Sequence, residues 1–165
     1  MASKNKTILK SANLLFLWLN VMTDKRFEFL EHTADVYIAA YGKDLVEAFE
    51  NAALAMFDVM TDVKDVSPRV GASIEVEAED EYALLYSWLE ALLIKFDTNG
   101  MFYSKFKISD LSRSSDGFRL SAKVWGEEFD AKKHMQKVGV KAVTYYRMEI
   151  IKNPEKVTLK FILDI

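Results

Sequence analysis

The chain has 165 residues, of which 50% are apolar and 13% aromatic, so it can bury a substantial core and is not a disordered chain. It contains no cysteine and only two histidines, which excludes disulfides, thiolate metal sites, cysteine nucleophiles and histidine-rich metal centres. The net charge of −3 argues against direct, charge-driven binding of nucleic acid, which needs a basic surface. These features together indicate an intracellular protein, which we expect in the cytoplasm.

Residues 1–22 differ from the rest of the chain. Their only charges are Lys4, Lys6 and Lys10, which leaves a net charge of −6 on the other residues. The longest apolar run, LLFLWL, is too short to span a membrane. One helical face would carry Ile8, Ala12, Leu15, Leu19 and Met22. We predict an extension, either a short helix over an apolar patch or an upstream addition, followed by a single domain over 23–165.

The segments RFEFLE and VYIAAYG predict two neighbouring strands, separated by the polar cluster of His32, Thr33 and Asp35. Polar atoms between two buried strands need partners, so this cluster has either a structural or a functional role. Asp44 with Glu47 predicts a capping box that begins a first helix. After a strand in VGASIEVEAE, Asp80 begins a second helix, which ends at Asn99-Gly100.

Four further strands are predicted in MFYSKFKIS, GFRLSAKVWG, TYYRMEII and KVTLKFILDI. Turns are expected at Asp116-Gly117 and Asn153-Pro154, and the charged segment 127–139 reads as a loop in which His134 would be solvated. The order is β-β-α-β-α-β-β-loop-β-β. It predicts an α+β, two-layer sandwich in which two main helices pack on one, mostly antiparallel sheet.

Two carboxylates stand out because each lies at the end of a predicted strand. In the last strand Val157, Leu159, Phe161 and Leu163 share one face, which puts Asp164 on the other. If that strand pairs near Asp35, then Asp35, Asp164 and the main-chain carboxylate of Ile165 converge and repel one another. A hard divalent cation, Ca²⁺, Mg²⁺ or Mn²⁺, would relieve this repulsion. The alternative is that Asp35 is an ordinary turn residue.

Four stretches together resemble the archease family. They are FEFLEHTADVYIAAYGKDLVEAFENAALAMFDVMTD, LLYSWLEALLIKFDTNG, KAVTYYRMEI and the ending FILDI, and the resemblance extends over about 26–165. It implies a protein without enzymatic activity of its own that activates an RtcB-type tRNA-splicing ligase. The activator would promote guanylylation and repeated turnover of that ligase, without binding nucleic acid or membranes itself.

The resemblance also implies roles for particular residues. Asp35, Asp164 and Ile165 would bind the cation, and Lys141 would be important for function. Beside these, the residues themselves suggest that Thr33 bonds at the strand junction and that His32 either orients a carboxylate or is a structural histidine satisfied by the backbone. One departure is Tyr146, where the family usually has histidine. Two other functions stay open: a metal-dependent hydrolase using Asp35, Asp164 and His32, for which no nucleophile is evident, and a chaperone-like module.

Overall fold

The computed structural model describes residues 25–165, and the predictions for residues 1–22 fall outside them. Within residues 25–165, seven strands and two long helices follow one another as β-β-α-β-α-β-β-β-β, with a short 3₁₀ turn, Val63–Asp65, after the first of these helices. In chain order the elements are β1 Phe27–Leu30, β2 Val36–Gly42, α1 Leu45–Met60, β3 Val70–Ala78, α2 Glu81–Asn99, β4 Met101–Ser114, β5 Gly117–Glu128, β6 Ala142–Asn153 and β7 Lys156–Asp164. This confirms the predicted α+β class and the predicted order of elements.

The strands form two antiparallel sheets rather than one. One sheet has four strands in the order β1-β2-β7-β6, and the other has three in the order β3-β5-β4. The prediction of one sheet was wrong on this point because alternation shows which face of a strand is buried, not which strand lies beside it. Tight turns keep β4 with β5 and β6 with β7, whereas a long loop separates β5 from β6.

Both helices begin where their local sequence predicts, and α2 also ends where it predicts. The Asp44 side chain accepts a bond of 2.8 Å from the Glu47 amide, and the Asp80 side chain accepts one of 2.8 Å from Ala83. Gly100 ends α2 in the left-handed conformation, with φ of 63°, where a residue without a Cβ is least strained. These caps satisfy amide groups that a helix leaves unpaired at its start.

The main core lies between the helices and the sheets. Helix α1 contacts β1, β2, β7 and β4, while α2 contacts β3, β5, β6 and β4. The buried aromatic ring of Phe57 on α1 meets Tyr103 and Phe106 of β4 at centroid distances of 5.6 and 5.7 Å. This packing joins α1 to the three-stranded sheet, while the same helix also contacts β1, β2 and β7, so α1 connects the two sheets. No helix among residues 25–165 is long and apolar enough to cross a membrane.

Candidate functional site

The candidate site lies where β2 begins and β7 ends, at one end of the four-stranded sheet. Leu163 on β7 pairs with Val36 on one side and with Val143 on the other. Asp35 directly precedes Val36 and Asp164 directly follows Leu163, so the two aspartates leave the same end of adjacent strands. Asp164 is exposed and the Asp35 side chain is 31% exposed.

Lys141 lies at the same end of the sheet, just before β6. Its backbone amide donates a bond of 2.8 Å to the carbonyl of Asp164. Its exposed Nζ donates a second bond, of 2.9 Å, to the main-chain oxygen of Ile165. The Lys141 ammonium therefore contacts the main chain of Ile165, one of the three groups that the sequence predicts as cation ligands.

The His32 ring is held against the beginning of β2. Its Nδ1 accepts a bond of 3.3 Å from the Asp35 amide and lies 3.8 Å from the Asp35 carboxylate. The ring also meets the edge of Tyr37, with 6.3 Å between ring centroids. His32 thus contacts the loop that carries Asp35, whereas Thr33 is exposed in the bend between the strands.

A wide bulge in β6 was missed by sequence reasoning. Thr144 pairs with Ile162 and Glu149 with Lys160, so four residues of β6, 145–148, lie opposite one residue of β7. Within the bulge Arg147 has φ of 55°, the one positive φ of a non-glycine residue within 25–165. Such a conformation costs on the order of 1–3 kcal/mol and is found most often at functional positions. Nothing in the sequence of TYYRMEII signals it, because that sequence is typical of an uninterrupted strand.

The bulge displays aromatic and cationic side chains beside the candidate site. Tyr145 stacks on Tyr86 of α2 with 4.5 Å between centroids, and it is still 54% exposed. Burial and the nearby carboxylates of Asp80 and Glu79 raise the pKa of Tyr145 above its usual value. The bulge therefore presents Tyr145 as a neutral phenol at physiological pH.

The neighbouring residues of the bulge point in other directions. Tyr146, which stands where a histidine was expected, is 66% exposed. The Arg147 guanidinium lies 4.9 Å from the centre of the Tyr37 ring. Exposed aromatic and arginine side chains are common features of protein-binding surfaces.

His134 contradicts its sequence-based interpretation, because it is 2% exposed rather than solvated. Its Nδ1 accepts a bond of 3.0 Å from the Asp130 amide, and its Nε2 lies 3.1 Å from Glu127 Oε1. The ring packs on Phe102 at 5.6 Å. The ring also lies 6.1 Å from that of Phe129, and no local pattern in the charged segment signals this burial.

Glu127, His134 and Lys133 form a closed cluster, which we call the loop latch. Burial on its own would raise the pKa of Glu127, but bonds from Lys133, the Ser67 amide and His134 outweigh it and lower the pKa to about 2. All three bonds end on Glu127 Oε1, and the Arg69 Nε lies 3.7 Å from Oε2, so the partners of both carboxylate oxygens come from the protein itself. The loop latch is therefore a structural device rather than a ligand site.

The described residues contain no cluster of three histidine, aspartate or glutamate side chains that could hold a metal. The candidate site has two carboxylate side chains, Asp35 and Asp164, and the sequence-based prediction takes its third ligand from the main chain at Ile165. All three donors are oxygens, which suits a hard divalent cation rather than zinc or copper. The donor chemistry therefore fits the expected cation.

A sequence model of the Archease protein family matches residues 27–165. The chain belongs to the archease family. Protein archease of Sulfurisphaera tokodaii is 43% identical over 141 residues, which make up 86% of this chain and 99% of that protein. Protein archease of Thermococcus gammatolerans is 47% identical over 131 residues, 79% of this chain and 92% of that protein.

Solved archease structures have the same fold. The solution structure of protein 1598 of Methanobacterium thermoautotrophicum has a TM-score of 0.75 and 42% identity, over 85% of this chain and 99% of that chain. A crystal structure described as an archease, possible chaperone, from Thermotoga maritima has a TM-score of 0.50 and 13% identity, over 82% of this chain and 94% of that chain. At that identity the second likeness concerns the fold alone.

Proposed function

We propose that this archease is a cytoplasmic accessory protein that activates an RtcB-type RNA ligase in tRNA splicing, by promoting guanylylation and repeated turnover. The observation that carries the proposal is the grouping of Asp35, Asp164, Lys141 and the main-chain oxygen of Ile165 at one end of the four-stranded sheet. Family membership supports the choice of partner, because the resemblance to archeases implies a ligase of this type.

The two aspartate carboxylates of the site are accessible to solvent, which favours a role in binding a cation rather than in catalysis. Asp35, Asp164 and the main-chain carboxylate of Ile165 would hold Ca²⁺, Mg²⁺ or Mn²⁺. A bound divalent cation would cancel the repulsion between these groups and present a positive centre to a partner. Lys141 would neutralise part of the remaining negative charge and keep the Ile165 oxygen in place.

The surroundings of the site suit a protein partner better than a small substrate. Large apolar side chains are exposed on both sides of it: Phe29 at 51% and Tyr146 at 66%. Phe29 and Asp35 also line one groove together with Val138, which is 40% exposed. Exposed aromatic residues next to charged groups are a recurrent feature of protein interfaces. Exposed apolar groups around a charged centre would let a protein partner bury the whole end of the sheet.

A hydrolase would need an activated nucleophile, and none of the described contacts provides one. The His32 Nδ1 is occupied by the Asp35 amide rather than by a serine or threonine hydroxyl. His134, the other histidine, is enclosed in the loop latch. We therefore place the chemistry on the ligase and give this protein the role of positioning groups near the ligase's active centre.

The decisive assay measures guanylylation and turnover of the purified ligase at a fixed concentration of this protein. Lys141→Ala should strongly reduce stimulation and leave the free energy of unfolding within about 0.5 kcal/mol, because the side chain is exposed. The matched control is Lys123→Ala, which removes an exposed lysine from the other sheet. Lys141→Arg tests whether charge suffices, because a guanidinium keeps the charge but not the compact ammonium.

Each outcome of this assay has a defined meaning. Equal stimulation by the Lys141→Ala and Lys123→Ala proteins would remove Lys141 from the functional site. No stimulation by the unmodified protein would overturn the proposed function. Hydrolysis of phosphodiesters by this protein without any ligase would favour the hydrolase, and protection of unrelated proteins from aggregation would favour the chaperone-like module.

A further inference from the structure

The outer face of the four-stranded sheet, which points away from the helices, contains apolar side chains as buried as those of the core. Tyr37 is 5% exposed, Ala39 2% and Ile162 1%. Tyr37 pairs with Ile162 across β2 and β7, so both side chains lie on one face. None of the three belongs to the main core. The core residues of these two strands, such as Ile38 and Phe161, alternate with them and lie on the opposite face of the sheet.

No helix or strand among residues 25–165 packs on this outer face. The helices reach the sheet through its core face, and no described strand of one sheet contacts a strand of the other. Some cover comes from neighbouring side chains, since the Arg147 guanidinium lies over Tyr37 and Glu149 accepts a weak bond of 3.5 Å from the Tyr37 hydroxyl. These contacts surround Tyr37, and they leave Ala39 without a described element above it.

We propose that residues 8–22 cover this face, with their apolar stripe packed over Tyr37, Ala39 and Ile162. The segment has the composition that such a cover needs. Its stripe recurs at helical spacing and consists of Ile8, Ala12, Leu15, Leu19 and Met22. The three lysines of the extension, which lie near its start, complement the net charge of −6 on the rest of the chain.

The place where the segment joins the domain makes this packing possible. The extension leads directly into β1, which is an edge strand of the same sheet. A helix of fifteen residues is about 22 Å long, and four strands are about 14 Å across, so one such helix crosses the sheet. The intervening residues 23–26 span up to roughly 13 Å, which is enough to raise the helix onto the face.

The relatives suggest that this cover is an addition to the shared fold. The Sulfurisphaera tokodaii protein is matched over 99% of its length by only 86% of this chain, so the extension has no counterpart there. The family match likewise begins at residue 27. Because the face is covered from above while the strand ends remain open, removing the extension should leave ligase activation intact.

The absence of cysteine from the chain gives a direct test. Ala39→Cys introduces one small thiol on the outer face, and Ser73→Cys introduces a control thiol at an exposed position of β3. The rate of labelling by a thiol reagent is measured in the full chain, in the full chain with Leu15→Lys and Leu19→Lys, and in a chain that begins at Met22. Asn13→Lys, on the opposite side of the proposed helix, is the control for an added lysine outside the stripe.

Labelling of the thiol at position 39 should become roughly tenfold faster or more when the stripe is broken or removed, because local opening then no longer limits access. Asn13→Lys should change nothing, and the thiol at position 73 should react at one rate throughout. Equal rates at position 39 in all proteins would overturn the proposal, because neighbouring side chains would then be the cover. Protection that disappears on dilution would also overturn it, since a second copy of the chain would be covering the face.

Discussion

The loop latch and the candidate site are built from the same kinds of residue and differ in how those residues are partnered. Each has a histidine, a lysine and carboxylate oxygens. In the loop latch Glu127 receives bonds from Lys133, Ser67 and His134 and is almost enclosed. At the candidate site Asp164 is exposed and its side chain has no bond to another residue within 25–165. Carboxylates whose partners all lie within the protein stabilise the fold, whereas open ones are available to a ligand.

The largest effect should come from His134→Ala. The change removes a buried ring that packs on Phe102 and leaves Glu127 without one of its donors. We expect the free energy of unfolding to fall by about 3 kcal/mol, in the range of large-to-small substitutions in cores. Urea unfolding followed by circular dichroism measures this loss. Cation binding by the folded protein should be unaffected, and a loss of binding would show that the two regions are not independent.

The opposite pattern is expected for Asp35→Asn and Asp164→Asn. Each removes one negative ligand oxygen, and we expect cation affinity to fall on the order of 100-fold. The loss should be at least as large as that caused by removing a residue that only hydrogen-bonds to a metal ligand. The unfolding free energy should change by less than about 0.5 kcal/mol, or rise, because like charges are separated. Titration calorimetry with Ca²⁺ and Mn²⁺ measures the affinity, with Asp116→Asn in the β4–β5 turn as control. Unchanged affinity in both variants would show that the cation does not bind at this site.

The sequence was sufficient to predict the class and order of the elements, because caps, turns and alternation are local signals. Asp44 and Asp80 cap the starts of the two helices, and Gly100 caps the end of α2, as their positions in the sequence predict. The proximity of Asp35 and Asp164 follows from the pairing of Val36 with Leu163, which one sequence can suggest and cannot establish. The division into two sheets and the bulge at Arg147 depend on tertiary packing, and so no local pattern revealed them.

His134 shows why burial is hard to predict in a charged segment. Its neighbours in sequence, Lys132, Lys133 and Met135, are exposed. The histidine is buried because Glu127 and the Asp130 amide satisfy both ring nitrogens, and those partners are brought to it by the turn at 131–133. The composition of the segment favours a solvated loop. The burial of His134 becomes evident only from the hydrogen bonds that both of its ring nitrogens make in the structure.

A smaller effect should come from acidification, through the loop latch. The pKa of Glu127 is about 2 in the folded protein and near 4.5 in the unfolded chain. Its contribution is therefore complete above about pH 4.5 and is lost as the pH falls towards 2. Allowing for solvent screening, the difference between this protein and Glu127→Gln should be on the order of 2 kcal/mol near neutral pH. Unfolding midpoints from pH 7 down to about 2.5 measure whether that difference shrinks, and a constant difference would contradict it.

The smallest effect should come from His32→Asn, the counterpart of His134→Ala at the candidate site. Asparagine also offers an acceptor to the Asp35 amide, as the His32 Nδ1 does, so the loop should keep its shape. Although the His32 side chain is only 16% exposed, we expect the unfolding free energy to change by less than about 1 kcal/mol, because the bond to the Asp35 amide is kept. Cation affinity should fall by no more than about tenfold. That is the low end of the loss expected when a residue that contacts a metal ligand, without binding the metal itself, is replaced. His32→Ala, which removes the acceptor altogether, should reduce affinity further. If both variants destabilise the protein as much as His134→Ala does, then His32 is a structural residue and the contrast between the two histidines fails.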